Sequence, residues 1–457
     1  NLDNDEDQDM VMSSVDNSFC ILNEEDEFKT SSNLGTGSAR SVLADVDHDG
    51  DLDVLCIGNN EHRLWSNDGS ASFSDITQQA GIKNSIGSRA IFADFDNDRD
   101  IDFMVLGKSD KIELYENNRD GTFSDRADER GLNNRANKIT LVDFSIGDFN
   151  PDGRMDISAI TRKGQLLTYV NTQNATGSHV FRESNKLKLP FDSAQGIHTA
   201  DFDNDGDLDL VTYGSGAIHF LQKNNNNFEL SNFVIDSTPD SKRILLEDFD
   251  NDGDIDLWRT GQLHSNITAG GKWIQINLKG LNSNPDGAGA KVEVKTTHYQ
   301  QKRELRRSSS SPSLLTFGLG EVDSVEFVRI LWPSGVRQTE LATGAMQRLE
   351  LTELNRKGTS CPILYAWDGH NYRFVTDFLG GGIIGYLTSP GTYYKPDHDE
   401  YIRIESLKPK NGRYVLQVIN QLEEIIYLDA TQLIAVDHPP EFEIHPNERL
   451  LSAPPYP

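Results

Sequence analysis

The most distinctive feature of this 457-residue chain is an acidic nine-residue segment that occurs six times. In the two clearest copies, which begin at Asp201 and Asp248, aspartate occupies every odd position and glycine the sixth. Five carboxylates so close together repel one another unless a cation lies among them. Aspartate oxygens are hard ligands, and calcium accepts several of them in a flexible arrangement. The segments therefore predict calcium sites.

Each segment is expected to bind its ion in the same way. The predicted ligands are the side chains at positions one, three, five and nine and the backbone carbonyl at position seven, while glycine at position six supplies the positive φ that folds the loop. We expect up to about six Ca²⁺ ions. The predicted side-chain ligands are Asn1, Asp3, Asp5 and Asp9; Asp45, Asp47, Asp49 and Asp53; Asp94, Asp96, Asp98 and Asp102; Asp148, Asn150, Asp152 and Asp156; Asp201, Asp203, Asp205 and Asp209; and Asp248, Asp250, Asp252 and Asp256.

The six copies suit a cation to different degrees. Solvated acidic turns are the simpler alternative, because Asp, Asn and Gly favour turns in any case, but the recurrence of six copies in one register favours metal binding. Copies one and three fit least well, because Glu6 and Arg99 replace glycine at position six. Asn150 replaces an aspartate in the fourth copy. The best fits are the copies that begin at Asp45, Asp201 and Asp248.

Strands, not helices, are predicted on both sides of these segments. An EF-hand loop needs a bidentate glutamate at its twelfth position and a helix on each side, whereas no glutamate occupies that position in the five copies after the first. Short apolar runs, such as 41–44 before one segment and 53–57 after it, are typical of β-strands. The copies begin 44 to 54 residues apart, which predicts one propeller blade for each copy.

The repeats resemble the FG-GAP/VCBS repeats of integrin-type β-propellers, in which a D-x-D-x-D-G-x-x-D loop joins two blade strands and holds Ca²⁺. The rest of each unit fits a four-stranded blade with tight polar hairpins. The resemblance implies an all-β fold with a calcium-binding propeller of six to seven blades over residues 1–265. The blade count stays open because Asn1 aligns with Asp201 and therefore falls inside a repeat.

Beyond residue 265 the acidic segments stop and two further β-rich modules are expected. Segments at 271–294, 316–320 and 328–335 together resemble the ASPIC/UnbV domain that follows such propellers in the cartilage acidic protein-like family. This resemblance implies a β-sandwich-like domain at 271–353. A third module of unknown role is expected at 360–457, with hairpins at Asp368-Gly369 and Asn411-Gly412 and a strand at Tyr401.

Other motifs are weaker candidates for chemistry. The segment from Gly380 to Gly385 matches G-x-G-x-x-G, but Pro390 follows too closely for a dinucleotide-binding helix, and a turn is the simpler interpretation. The acidic segment 397–400 is expected to be a solvated turn. Cys20, Cys56 and Cys361 form no C-x-x-C pair, and Cys56 is expected in a blade core.

Charge and hydropathy restrict the partners. The net charge of −29 argues against nucleic acid as a partner, and the one basic cluster is expected on a solvated face; it consists of Arg303, Arg306 and Arg307. No run of 18 apolar residues occurs, so no membrane span is expected. Calcium loops of modest affinity suit compartments in which Ca²⁺ is abundant. We therefore expect a secreted, periplasmic or cell-surface protein.

The predicted function is non-catalytic. We expect a calcium-binding protein that mediates adhesion, scaffolding or protein or glycan binding through its propeller, alone or as a subunit of a larger surface assembly. The alternative is an enzyme, or an accessory subunit of one, that uses the propeller channel. Against it, His198 and His264 stand alone in the repeats and no nucleophile–base pair accompanies them. Convergence of His, Tyr and Arg side chains at the channel mouth would favour the alternative.

Overall fold

In the computed structural model, β-strands are the only regular secondary structure among the described residues. The chain divides into two compact units, Asn1–Leu354 and Asn355–Pro457. Among the described residues there is no helix of the length and apolarity that crossing a membrane requires. The described residues are 1–5, 7–14, 16–24, 27–35, 38–58, 61–83, 85–107, 111–133, 140–174, 178–224, 227–236, 244–259, 261–267, 270–306, 314–355, 362–369, 372–377, 387–389, 392–393, 401–404, 407–419 and 431–439.

Six antiparallel sheets follow one another through residues 10–264, and we number them blades one to six. Blade one contains β1 (Met10–Ser13), β2 (Ser18–Glu24) and β3 (Glu27–Asn33). Blade two contains β4 (Ser38–Ala44), β5 (Asp53–Gly58), β6 (Arg63–Asn67) and β7 (Phe73–Asp75). Blade three contains β8 (Gly87–Ala93), β9 (Asp102–Gly107), β10 (Ile112–Asn117) and β11 (Phe123–Asp125).

Blades four to six continue the pattern. Blade four contains β12 (Leu141–Gly147), β13 (Asp156–Thr161), β14 (Gln165–Gln173) and β15 (His179–Lys188). Blade five contains β16 (Ala194–Ala200), β17 (Asp209–Gly214), β18 (Ala217–Asn224) and β19 (Asn227–Asp236). Blade six contains β20 (Leu245–Glu247), β21 (Asp256–Arg259) and β22 (Gln262–His264). Within every blade, each strand is hydrogen-bonded to the strand that follows it in the chain.

Apolar side chains on neighbouring blades interleave to form the cores. Phe92 and Phe103 of blade three share one core with Leu55 and Ile57 of blade two, and Phe123 packs there as well. Because both faces of a blade sheet pack against neighbouring blades, its inner strands are continuous apolar runs and do not alternate between apolar and polar residues. The prediction of an all-β, propeller-like fold is confirmed, and the described residues contain six blade sheets.

The next seven strands form the predicted β-sandwich. They are β23 (Lys272–Lys279), β24 (Lys291–Lys295), β25 (Gln300–Glu304), β26 (Leu315–Gly320), β27 (Ser324–Leu331), β28 (Arg337–Gly344) and β29 (Gln347–Thr352). One sheet has the order β26-β23-β29 and the other β25-β24-β27-β28. Trp332 and Phe317 are fully buried in the core that the two sheets share.

The second compact unit is also built from strands. They are β30 (Ile363–Trp367), β31 (Tyr372–Asp377), β32 (Leu387–Ser389), β33 (Thr392–Tyr393), β34 (Pro409–Lys410), β35 (Arg413–Tyr414) and β36 (Leu416–Ile419). Both predicted hairpins are present, since β30 pairs with β31 and β34 with β35. The strand predicted at Tyr401 is wrong, because residues 401–404 have no regular secondary structure and the strand before Asn411 starts only at Pro409.

Candidate metal sites

Each acidic segment of blades two to six is the loop between the first two strands of its blade, and we name these loops by their first residue: the Asp45 (45–53), Asp94 (94–102), Asp148 (148–156), Asp201 (201–209) and Asp248 (248–256) loops. The Asn1 loop (1–9) precedes β1. Position six has positive φ, 98° at Gly50 and 85° at Arg99. Position four does as well in five loops, with 61° at His48 and 61° at Asn97, whereas the Asp148 loop has Pro151 there. Sequence reasoning missed position four, although its repeated asparagine is a residue that tolerates this conformation.

The loops bring the side chains of positions one, three and nine together. In four loops each of these carboxylates places an oxygen within 4.8 Å of the other two; the clusters are Asp45, Asp47 and Asp53; Asp94, Asp96 and Asp102; Asp201, Asp203 and Asp209; and Asp248, Asp250 and Asp256. The Asp148 loop differs because Asn150 supplies an amide at position three. The Asp94 loop, predicted to fit poorly, therefore has the same three-carboxylate geometry as the best ones.

Position five has a different environment from the other predicted ligands. One oxygen of its carboxylate accepts the backbone N–H of position seven, at 3.0 Å for Asp49 and 2.8 Å for Asp205. The same bond is made by Asp5, Asp98, Asp152 and Asp252. In the Asp148 loop the second oxygen of Asp152 is also engaged, because it accepts Arg154 Nη2 at 2.8 Å.

Position nine joins the loop to the rest of its blade. Asp53 accepts the N–H of Val46 on Oδ2 at 2.9 Å and the N–H of Asn67 on Oδ1 at 3.0 Å. Equivalent pairs of bonds hold Asp9, Asp102, Asp156, Asp209 and Asp256. These carboxylates are therefore oriented by the backbone, with acceptor capacity remaining for a cation.

Several buried oxygen atoms of the loops accept no hydrogen bond from the described residues, as expected of cation ligands. Asp45 Oδ1 and Asp201 Oδ1 are buried, and no donor among the described residues reaches either of them, while their Oδ2 atoms accept the N–H of position six at 3.2 Å. The amide oxygens of Asn1 and Asn150 are open in the same way. Buried acceptors without donors are costly, and a hard cation satisfies several of them at once. The residues present fit calcium.

Burial also makes the metal-free clusters basic. It raises the pKa of Asp53 and of Asp209 to about 8, and that of Asp156 and of Asp201 to about 7. The neighbouring carboxylates raise these pKa values further, and backbone N–H groups partly oppose the rise. Protons therefore compete with any cation for these oxygens.

A second recurring residue ties each blade to the one before it. We call Asn67, Asn117, Asn171 and Asn266 the bridging asparagines. Asn171 Nδ2 donates to the carbonyl of Phe95 at 2.7 Å, and Asn67 Nδ2 to that of Leu2 at 2.7 Å. Each acceptor is position two of the preceding loop, and in blade five Lys223 Nζ makes the equivalent contact with Phe149. Sequence reasoning missed these residues, although asparagine recurs 22 or 23 positions after the start of the first four loops.

The β-sandwich domain packs on the loops, which no sequence pattern suggested. Arg303 Nη2 donates to Asp201 Oδ2 at 3.2 Å, and the N–H of Gly318 donates to the same oxygen at 3.1 Å. A Cβ on residue 318 would lie 2.4 Å from that oxygen, so only glycine permits this approach. The prediction that the basic cluster forms a solvated face is wrong for Arg303, whose side chain is 14 % exposed.

Donors of the same domain reach three other loops. Gln275 Nε2 donates to Asp248 Oδ2 at 2.7 Å, Lys291 Nζ contacts Asp94 Oδ2, and Lys302 Nζ donates to the carbonyl of Gly153 at 2.9 Å. At Asp94, Asp201 and Asp248 the oxygen that is engaged also accepts the N–H of position six. The domain therefore holds the outer oxygens of these carboxylates and leaves the inner ones to the loop.

His, Tyr and Arg side chains do meet at the propeller channel. His198 stacks on Tyr213 with ring centroids 5.8 Å apart, and Arg89 and Arg306 line the same cavity as His198. Burial, together with nearby Arg89 and Arg40, lowers the pKa of His198 to about 3. At neutral pH His198 is therefore uncharged, while the two arginines keep their charge. This combination suits ligand binding better than proton transfer.

One further cluster of potential ligands is an ion-pair network. Asp96, Glu116 and His179 place atoms within 4.8 Å of one another. Arg130 donates to both oxygens of Glu116, at 2.6 and 2.7 Å. Burial opposes ionisation of Glu116, but the hydrogen bonds from Arg130 and His179 prevail and lower its pKa to about 2. Glu116 is thus already paired with a cation.

The remaining sequence candidates have simple outcomes. Cys56 is fully buried in a blade core, as predicted, and Cys20 packs in the same cluster as a free thiol. The segments 380–385 and 397–400, together with Cys361 and Arg307, lie outside the described residues.

Comparison with known families defines the class of protein. The FG-GAP-like repeat family matches residues 45–105, 94–159, 148–212 and 201–258, so the chain contains an array of FG-GAP repeats. The ASPIC and UnbV family matches residues 280–358. The chain therefore combines four matched FG-GAP-like repeats with an ASPIC/UnbV domain, which is the architecture that the sequence motifs predicted.

Two solved structures that resemble the chain share little sequence with it. One is an Agrocybe aegerita lectin that recognises non-reducing terminal N-acetylglucosamine: it is 17 % identical, the match covers 57 % of this chain and 74 % of the lectin, and the TM-score is 0.40. Another is BBS1N in complex with ARL6DN: it is 10 % identical, the match covers 68 % of this chain and 84 % of that one, and the TM-score is 0.32. No curated protein matches the chain.

Proposed function

We propose that this chain is a non-catalytic, calcium-binding propeller protein that acts outside the cell as an adhesion or scaffolding module and binds a protein or glycan partner. The observation that carries the proposal is the three-carboxylate cluster at the same place in blades two, three, five and six, with a buried oxygen that accepts no hydrogen bond at Asp45 and at Asp201. Calcium is the hard cation that such a set of oxygens suits best.

Calcium would stabilise three connections at once. Each loop of blades two to six joins two strands of its own blade, the position-two carbonyls of five loops accept a bond from the next blade, and donors of the ASPIC/UnbV domain reach the Asp94, Asp148, Asp201 and Asp248 loops. An ion that neutralises the loop therefore supports the strand pair, the blade contact and the domain contact. Ions bound to the folded state alone shift unfolding by mass action.

The partner surface lies away from the loops. Because the ASPIC/UnbV domain contacts the loop face of blades three to six, we place the partner on the opposite face and on the outer strands. The outer strands carry exposed apolar side chains, among them Phe28 on β3 and Phe233 on β19. Aromatic groups of this kind are common in protein and glycan contacts.

The experiment compares partner binding and calcium binding in matched variants. Fluorescently labelled full chain is applied to a glycan array and to extracellular-matrix proteins, with Ca²⁺ or with chelator. Isothermal titration then counts Ca²⁺ sites in the wild type, in Asp201→Asn and in the control Asp236→Asn, which changes an exposed aspartate outside the loops. We expect Asp201→Asn to lose one calcium site and Asp236→Asn none. Array binding that survives chelation unchanged in strength would contradict the role given to calcium.

A further inference from the structure

The Asp45 and Asp94 loops have the same ligand geometry but different surroundings. Each brings together the carboxylates of positions one, three and nine, in blade two and in blade three. Each also contains five aspartates, so the acidic charge of the two segments is equal. Calcium affinity depends on the total charge around the ion as well as on the ligands themselves. A difference in neighbouring cations should therefore make the two sites differ in strength.

A lysine of the ASPIC/UnbV domain is paired with the first ligand of the Asp94 loop. Lys291 Nζ contacts Asp94 Oδ2 and donates to Asn97 Oδ1 at 3.0 Å. The side chains of Lys291 and Asp94 are 7 % and 0 % exposed, so solvent and salt screen this pair only weakly. An ammonium group on one oxygen of a ligand repels a cation that binds the other oxygen.

An arginine of blade three neutralises another side of the same loop. Arg119 Nε contacts Asp100 Oδ2, and Arg119 Nη2 contacts the carbonyl oxygen of Asp98 and lies 3.8 Å from Asp98 Oδ2. Asp98 is the predicted ligand at position five. In the part of the chain that the structure describes, no lysine or arginine forms an ion pair with a carboxylate of the Asp45 loop. The Asp94 loop thus has two basic partners that the Asp45 loop lacks.

The first ligand also differs between the two loops in its hydrogen bonds. Asp94 Oδ1 accepts the N–H of Asp98 at 3.2 Å, and Asp94 Oδ2 accepts that of Arg99 at 2.8 Å. Asp45 Oδ2 accepts the N–H of Gly50, but the buried Oδ1 of Asp45 has no donor among the described residues. A cation at Asp45 satisfies an acceptor that otherwise has no partner, whereas both oxygens of Asp94 already accept hydrogen bonds.

We propose that the propeller contains calcium sites of two strengths, and that Lys291 and Arg119 make the Asp94 loop a weaker site than the Asp45 loop. This inference rests on the calcium-binding function proposed above. As the calcium concentration falls, the Asp94 loop loses its ion first. Lys291 still neutralises Asp94 at that point, so the ASPIC/UnbV domain keeps its contact with blade three after the ion has left.

Equilibrium dialysis of the calcium-loaded full chain against buffers of decreasing free Ca²⁺ tests the proposal, because it counts the ions that leave at each concentration. Two variants remove the position-three ligand of one loop each. Asp96→Asn should abolish an ion that leaves early, and Asp47→Asn an ion that leaves late. The control Arg126→Gln, which changes a surface pair with Glu129, should release its ions as the wild type does.

Removal of either basic partner should strengthen the weaker site. Lys291→Met keeps the length of the side chain without its charge and should lower the Kd of that site by about tenfold or more. Arg119→Gln changes a side chain that is 56 % exposed, so screening reduces its effect to about threefold. Because Arg119 lies on the surface, this variant tests the proposal even where Lys291→Met fails to fold.

The outcomes distinguish this inference from the function on which it rests. If Asp47→Asn and Asp96→Asn abolish ions of equal affinity, or if neither Arg119→Gln nor a folded Lys291→Met tightens the early site, the inference is overturned while calcium binding by the propeller stands. If the wild type binds no calcium, both are overturned. Early loss at the Asp94 loop, with tighter binding after removal of a basic partner, supports the inference.

Discussion

Arg303 Nη2 lies 3.2 Å from Asp201 Oδ2, although 102 positions separate the two residues in the chain. Asp201 begins a predicted calcium loop, and Arg303 belongs to the ASPIC/UnbV domain. The carboxylate is completely buried and the guanidinium nearly so. One aspartate therefore faces the interior of its loop with one oxygen and the neighbouring domain with the other.

Replacing this arginine should detach the domain from the loop. Arg303→Gln leaves Asp201 Oδ2 buried with one N–H donor from each side but without the guanidinium, and removing one partner of a buried pair costs about 3 kcal/mol. We expect a loss of that size in the free energy of unfolding, measured with urea in calcium buffer. Arg126→Gln, in an exposed pair, should change it by less than about 0.5 kcal/mol. Equal losses in the two variants would refute the pairing.

Arg99 should be replaceable with a gain in stability. It occupies position six of the Asp94 loop at φ 85°, where the Asp45, Asp148, Asp201 and Asp248 loops have glycine. Relief of that strain predicts about 1 kcal/mol of stabilisation for Arg99→Gly. The reverse change, Gly50→Arg, should cost a similar amount, because a Cβ there meets no atom within 4 Å and only the backbone strain remains. A higher melting temperature for Arg99→Gly and a lower one for Gly50→Arg would confirm the argument, and shifts of the same sign would contradict it.

The bridging asparagines should contribute to stability blade by blade. Asn171→Ala removes the side-chain amide that donates to the Phe95 carbonyl, and the loss of that buried hydrogen bond should cost about 2 kcal/mol. Asn118→Ala removes an exposed amide that bonds within its own hairpin and should be nearly neutral. Urea unfolding of both proteins measures the difference. A smaller effect for Asn171→Ala than for Asn118→Ala is inconsistent with a bond between blades.

The stability of the metal-free protein should fall as the pH rises, and the stabilisation by Ca²⁺ should grow. Because the folded-state pKa of Asp53 and Asp209 is raised to about 8 from 3.8, protonation favours the folded, metal-free chain. That contribution is complete below about pH 4 and disappears as the pH rises through about 8. In chelator, melting temperature should therefore fall between pH 5 and pH 8, and the increment from Ca²⁺ should grow over the same interval. A Ca²⁺-dependent rise in melting temperature that becomes smaller as the pH increases would contradict the prediction.

The features that repeat along the chain were predicted from the sequence, and the contacts between segments far apart in the chain were not. Asp45, Asp201 and Asp248 were placed correctly between the first two strands of their blades, because alternating aspartates, glycine and apolar runs are local signals. The bridging asparagines also repeat, but Lys223 breaks the pattern in residue type and Asn266 in spacing. The contact of Arg303 with Asp201 has no local signal, since a basic cluster in an acidic chain looks like a solvated face until the packing of two domains is known.

Calorimetric melting with and without chelator tests the central claim most directly. A site held at 100 times its Kd contributes about 2.7 kcal/mol, and four such sites predict a fall of more than about 10 °C in the melting temperature of the propeller when Ca²⁺ is removed. Added Ca²⁺ should restore the transition, and Mg²⁺ at the same concentration should restore little of it. A transition at the same temperature with Ca²⁺ and with chelator would contradict the account.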